Sequence, residues 1–304
     1  VCSSDLFYLM RFLIQYVVNN RHQAILVMTV FGAVSIFFVP FGVISAAVGA
    51  LVTLRKNPQE GLLVFVFSAI IIMIVQSFII PRPGMEVPIA LFLYIPVWLS
   101  ARALYRLASQ GDSLVVITTC CVLLAMSIQL FTGDAVSWWG QWLELATHSI
   151  QGATIEGFEE DGSLYIINGL VAVMLGLTSM MALLLARYLQ SYQYNPGGFQ
   201  SEFYNLSIPR SVFMAAIVIL SIGYMISELL IYDLLVILTM MYAFQGLAIF
   251  HFNIAKKGYS HGFLVPVYLL LMIYPQHMFT GLAMLGVFDI IMNFRQVSKV
   301  PPRR

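Results

Sequence analysis

The chain has 304 residues, 60% hydrophobic and 10% charged, where a soluble domain carries roughly 45–50% and about 25%. A water-soluble fold of this length cannot hide so much apolar surface, because only its core is screened from solvent. A net charge of +1 excludes the concentrated basic surface of a nucleic-acid binder, and three cysteines, with Cys120 and Cys121 adjacent in an apolar run, exclude a disulfide framework.

In chain order, residues 1–9 read as a non-native leader, with Met10-Arg11 as the natural start. A helix needs about 20 apolar residues to cross a bilayer. The first uncharged run, Ala24 to Leu54, is too long for one span, and Pro40 divides it into an expected hairpin of two short helices. Spans are expected at Gly61–Ile80, Val87–Leu107, Ser113–Thr132, Leu164–Leu189, Ser211–Leu230 and Leu234–Asn253. The last run, Gly258 to Phe288, is again overlong and is broken at Pro275-Gln276-His277. The expectation is an all-α, polytopic bundle of about 8–10 membrane helices, with two Pro-interrupted hairpins and additional interfacial helices. It forms one domain over 10–295, followed by a basic tail, 296–304.

Lys and Arg favour the cytoplasmic side. Arg11, Arg21, Arg55, Lys56, Arg102, Arg106, Arg187, Arg210, Lys256 and Lys257 fall on one side if both long runs are hairpins. Arg82 is the exception. The loop 133–163 carries Asp134, Glu144, Glu156, Glu159, Glu160 and Asp161 with no Lys or Arg. Both termini are therefore expected in the cytoplasm of a bacterium, beneath its inner membrane.

Two loops stand out. The acidic outer loop opens on Trp138, Trp139 and Trp142, three of the four tryptophans. Tryptophan prefers the headgroup level, so this reads as an interfacial helix, with a substrate lid as the sharper alternative. In the cytoplasmic loop 190–210, Asn195-Pro196-Gly197-Gly198 is a turn. Phe199, Phe203 and Leu206 then share one helical face, as an interfacial entry helix requires.

Ionisable groups at membrane depth are functional candidates. Glu228 and Asp233 flank an outer turn and are expected to be solvated near headgroups. His251, Asp289 and Arg295 form a candidate inner-leaflet cluster. Six residues apart, Asp289 and Arg295 fall on different helical faces, which points to Lys299 or a basic loop residue as the partner of Asp289. Gln76, Gln129, Asn168 and Gln245 are suited to interhelical hydrogen bonds. No residue set with catalytic, cofactor-binding or metal-ligating spacing is recognisable. On the second helix Gly42, Ala46 and Ala50 recur every four residues beside Ser45 and Gly49. Such small residues let backbones approach closely, against an internal neighbour or a partner protein.

Several stretches carry a family likeness: Met10-Arg11 with Arg21-His22-Gln23-Ala24 and Leu51-Val52-Thr53-Leu54-Arg55; Asn195-Pro196-Gly197-Gly198-Phe199 with Glu202-Phe203; Phe244-Gln245-Gly246-Leu247-Ala248 with His251; and Gly286-x-x-Asp289 with Asn293-Phe294-Arg295. Together they resemble the gammaproteobacterial branch of the YybS-like family of bacterial multi-pass membrane proteins, over nearly the whole chain after residue 10. The family motifs have no assigned chemistry. Its helix organisation is similar to that of substrate-capture subunits of energy-coupling-factor transporters and of a rod-shape-determining scaffold. The resemblance implies a non-enzymatic transport subunit that needs partners, a coupling subunit with ATPases, for which Gly42, Ala46 and Ala50 would be the contact. The alternative is a scaffold for envelope or division machinery. An autonomous ion-driven carrier ranks third, because the spans lack carboxylate pairs.

Overall fold

The computed structural model describes residues 2–79, 89–147, 157–158 and 162–295. Arg82, the loop residues Glu156, Glu159, Glu160 and Asp161, and the tail 296–304 with Lys299 lie outside the described residues. Within them the chain is all-α, with thirteen helices and no strand.

The first, α1 (Cys2–Asn19), begins within the stretch read as a leader and continues past Met10. Asn20 then caps α2 (Arg21–Val34), its side chain accepting from the His22 N–H. As anticipated, the overlong first run breaks before Pro40, which takes the first position of α3 (Pro40–Arg55), where its missing N–H costs nothing. Next come α4 (Pro58–Ile79), α5 (Ile89–Leu107) and α6 (Gln110–Thr132). The tryptophan segment forms α7 (Ala135–Thr147), followed by α8 (Ile167–Tyr194) and the short α9 (Gly198–Tyr204). Ser227 separates α10 (Arg210–Ile226) from α11 (Glu228–Lys256), capping the latter. The last run is divided at Pro275 into α12 (Val265–Ile273) and α13 (Pro275–Met292).

Four helices, α4, α6, α8 and α11, are long and apolar enough to cross a membrane. On α4 the outward face carries Leu62, Leu63, Val66, Phe67, Ile70, Ile71 and Ile74, all exposed, while Val64, Phe65, Ser68 and Ile72 turn inward. That distribution is of the kind found in an integral membrane protein, whose outer face meets lipid rather than water. α2, α3 and α10 are apolar but run 14, 16 and 17 residues, or about 21–26 Å at 1.5 Å per residue, short of a hydrocarbon core of about 30 Å. With nine residues, α12 is shorter still, so the second expected hairpin is unequal.

The fold divides into two compact units. Of the described residues, those up to Ile117 and Leu177–Leu206 form the first; Thr118–Gly176 and those from Ser207 onward form the second. The first is built around α3, which packs against α2, α4 and α5. The small-residue stripe explains why α3 can be central. Gly42, Ser45, Ala46, Gly49 and Ala50 are all buried. A Cβ at Gly49 would come within 2.6 Å of the Phe65 ring, so only glycine lets α4 lie so close. Ser45 Oγ donates to the Met28 carbonyl at 2.7 Å. Its single hydroxyl proton is thereby used, so the Tyr94 hydroxyl, 2.6 Å away, donates to it. The stripe is thus filled by internal neighbours, the first of the two occupants expected for it, rather than by a partner protein. Replacing Ala46 with Leu is expected to cost about 1–3 kcal/mol by overpacking, read as a lower thermal unfolding midpoint in detergent; an unchanged midpoint would refute the close packing of α3.

The second unit is built around α11, which packs against α10 and α13. Of its apolar window 56% is buried, against 28% for α4, so α11 lies at the inside of its unit.

Candidate functional site

Asp233, in the second turn of α11, is completely buried rather than solvated among headgroups. Its Oδ2 accepts from Gln129 Nε2 on α6 and from Asn168 Nδ2 on α8, each at 2.5 Å. Asn168 Nδ2 also donates to the Ala125 carbonyl at 3.1 Å, and Asn168 Oδ1 accepts from Trp139 Nε1 at 3.2 Å. Trp139, Asn168 and Asp233 thus form a relay of donors from the tryptophan helix into the buried carboxylate. Asn168 and Gly169 lie in the first turn of α8, whose unpaired N–H groups make the surroundings electropositive. Gly169 permits that approach, since a Cβ there would stand 2.9 Å from Asp233 Cα. No Lys, Arg or His pairs with Asp233 among the described residues; its Oδ1 makes no full hydrogen bond among them, with the Gly169 backbone as its nearest donor. Glu228, by contrast, is exposed as expected, accepting only from Tyr232 Oη at 3.3 Å.

The tryptophan helix is more than a cover. Trp138 meets Trp139 and Trp142 edge-on, with ring centroids 4.7 and 6.0 Å apart. At its start Asp134 accepts from the hydroxyl and the N–H of Ser137, at 2.6 and 3.1 Å. These bonds, the hydroxyl's foremost, hold the Asp134 carboxyl below the usual carboxylate range.

At the other end of α11, Gln245 Nε2 donates to Asp289 Oδ2 at 3.0 Å and Gln245 Oε1 accepts from the Ile208 N–H at 3.0 Å. Asp289 is paired directly with Arg295, whose terminal nitrogen lies 2.7 Å from Oδ2. Helical spacing places these two on different faces, but the helix stops at Met292. Asn293 adopts φ 57°, ψ 49°, a left-handed cap, and the chain turns back so that Arg295 reaches Asp289. His251 is engaged elsewhere, its Nε2 2.8 Å from Tyr268 Oη. The bonds described here join Gln245, Asp289 and Arg295, while the bond described for His251 is to Tyr268. Gln129, Asn168 and Gln245 all make interhelical bonds, as their residue type suggested.

The third feature lies in the first unit. Gly197 turns the chain with φ +86°, and Ser191 Oγ donates to the Asn195 carbonyl while accepting from the Phe199 N–H. Arg187 pairs with Glu202, and Arg55 lies 3.9 Å over the Tyr194 ring. Phe203 and Leu206 are buried, so the expected interfacial face packs inward against protein. Beside the turn lies a cleft of about 430 Å3, lined by Arg11, Tyr188, Tyr192, Phe199 and Gln200.

Among the described residues no three His, Cys, Asp or Glu side chains gather as a metal site would require. No family model, curated protein or solved structure matches the chain.

Proposed function

We propose that this chain is a transport-related protein of a bacterial inner membrane, with both termini cytoplasmic, and that Asp233 is its working group. The observation that carries this reading is a completely buried carboxylate inside a membrane-length helix, with amide donors on one oxygen and, among the described residues, no full hydrogen bond on the other and no basic partner. A purely structural acid is usually neutralised, as Asp289 is by Arg295. Ionisable groups kept at membrane depth mark ion and substrate pathways. The open oxygen suits a proton or a small monovalent cation. Trp139, hydrogen-bonded to Asn168, would link occupancy of the site to the outer-face helix.

The chain is read as non-enzymatic and as a subunit working with other membrane proteins, in keeping with its likeness to the YybS-like family. Because the α3 stripe is buried internally, a coupling partner with ATPases would dock elsewhere. A scaffold role draws support from one observation, the dense packing of α3 on three sides.

The test uses the purified chain in mild detergent. Its thermal unfolding midpoint is measured across pH and in sodium, potassium and choline chloride. The wild type should respond to pH or to one inorganic cation, and Asp233→Asn should abolish that response while remaining folded. A wild-type midpoint indifferent to both, or an identical response in Asp233→Asn, would overturn the assignment.

A further inference from the structure

We propose that the Asp233 site takes a proton in preference to sodium, potassium and other metal cations, and that Trp139 sets this selectivity by fixing the orientation of Asn168. The inference rests on the reading of Asp233 as the working group and names its ligand. An asparagine can present either its oxygen or its amino group to a neighbour, and the surrounding bonds decide which. Here both ends are decided. Trp139 Nε1 only donates, so the atom it meets at 3.2 Å is Asn168 Oδ1. The Ala125 carbonyl only accepts, so the atom 3.1 Å from it is Asn168 Nδ2. The second Nδ2 hydrogen is thereby aimed at Asp233 Oδ2. Turning the amide over would break all three bonds.

That arrangement suits a proton and works against a metal ion. A metal cation entering a protein exchanges its hydration shell for a set of oxygens. Around Asp233 the neighbours present hydrogens instead, since Asn168 and Gln129 both direct amino groups at Oδ2. Oδ1 lies against the first turn of α8, where a Cβ on Gly169 would stand 3.0 Å from it. The positive end of that helix opposes an ion that keeps its charge. A proton needs one lone pair, and the O–H bond it forms leaves a neutral carboxyl with no further ligands to gather. Of the two amides, Asn168 is the one held at both ends, so the selectivity depends on it and on the indole that holds it.

The experiment follows the thermal unfolding midpoint of the full chain in mild detergent, across pH and at constant ionic strength in lithium, sodium, potassium or choline chloride. The wild type should respond to pH through Asp233 and give one midpoint in all four salts. The other titratable groups on the surrounding elements are Glu228 and Tyr232 on α11, Asp134 and Glu144 on α7, Tyr165 ahead of α8 and Tyr224 on α10, all exposed. Cys120 and Cys121 lie at least two turns from Gln129 along α6. All of them remain in Asp233→Asn, so comparison with that variant removes their contribution. Trp139→Phe deletes the N–H that holds Asn168 Oδ1 and lets the amide turn its oxygen to the site. A rise of about 2–4 °C in lithium or sodium over choline is then expected, as binding to the folded state produces. Asn168→Asp puts an acceptor where the amino group stood and should gain the same response, which serves where Trp139→Phe does not fold. A wild-type response to a metal cation that Asp233→Asn abolishes would overturn the selectivity and leave Asp233 as the working group. A wild type indifferent to both pH and salt would overturn that reading and this inference with it. Folded Trp139→Phe or Asn168→Asp that stays indifferent to every cation would overturn the role given to Asn168.

Discussion

Replacing Gly246 or Gly286 with alanine is expected to destabilise the protein by about 3 kcal/mol or more, at the upper end of overpacking costs. The two glycines interleave where α11 crosses α13. A Cβ at Gly246 would penetrate the Leu282 carbonyl oxygen, and one at Gly286 would penetrate that of Tyr242. In both cases the obstacle is backbone, which cannot rotate aside as a side chain does, so the whole crossing must widen. Widening also draws Gln245 away from Asp289, whose hydrogen bond is only 3.0 Å long. Lipid offers no hydrophobic drive to hold separated helices together, so lost packing is not recovered by another route. Gly281, on the same helix with nothing within 4 Å of its added Cβ, is the control. Gly281→Ala should be neutral or slightly stabilising, because alanine is the better helix former. Thermal unfolding in detergent, with accumulation in membranes, reads all three. Equal midpoints for Gly246→Ala and Gly281→Ala would sink the close crossing.

Asp289→Ala should cost about 3–5 kcal/mol, the range for breaking a buried ion pair from one side. The side chains of Asp289 and Arg295 are 5% and 10% exposed, so removing the carboxylate strands a guanidinium away from water. Asp289→Asn keeps shape and one acceptor and should fall between wild type and alanine, while the exposed Glu228→Gln should be nearly silent. The diagnostic variant is Asp289→Leu with Arg295→Met. Removing both charges should recover much of the loss, because the desolvation cost disappears with the pair. Additive losses in the double variant would show that the two residues act independently and that the turn at Asn293 does not join them.

Much of this architecture is legible in the residue pattern, because lipid imposes long apolar runs and proline punctuates them. The breaks at Pro40 and Pro275 fall where expected, as do the helices around Trp138–Trp142 and 210–256. What escapes the pattern is contact between helices distant in the chain. Asp233 lies close enough to Ser227 to pass for a solvated cap. Its burial depends on Gln129 and Asn168, 104 and 65 residues away. Those two amides in separate apolar runs were the available sign that a polar partner lay among them. The pairing of Asp289 with Arg295 was hidden by extrapolating the helix beyond its end. Asn293 carried the signal, since asparagine tolerates the left-handed conformation that stops a helix. The stripe at Gly42, Ala46 and Ala50 announced a close approach, and only the three-dimensional packing shows that α2, α4 and α5 make it.

The helix α11 holds Asp233 near one end and Gln245 twelve residues on, roughly 18 Å along its axis at 1.5 Å per residue. It runs between them as one unbroken helix. A rod of this kind transmits displacement with little loss. A nudge where α11 meets Asn168 and Gln129 is delivered to the glycine crossing, whose clearance is too small to absorb a sideways slip. The two polar anchors therefore sit on one rigid element, so a displacement imposed at Asp233 would reach the glycine crossing as a turn or tilt of the same helix.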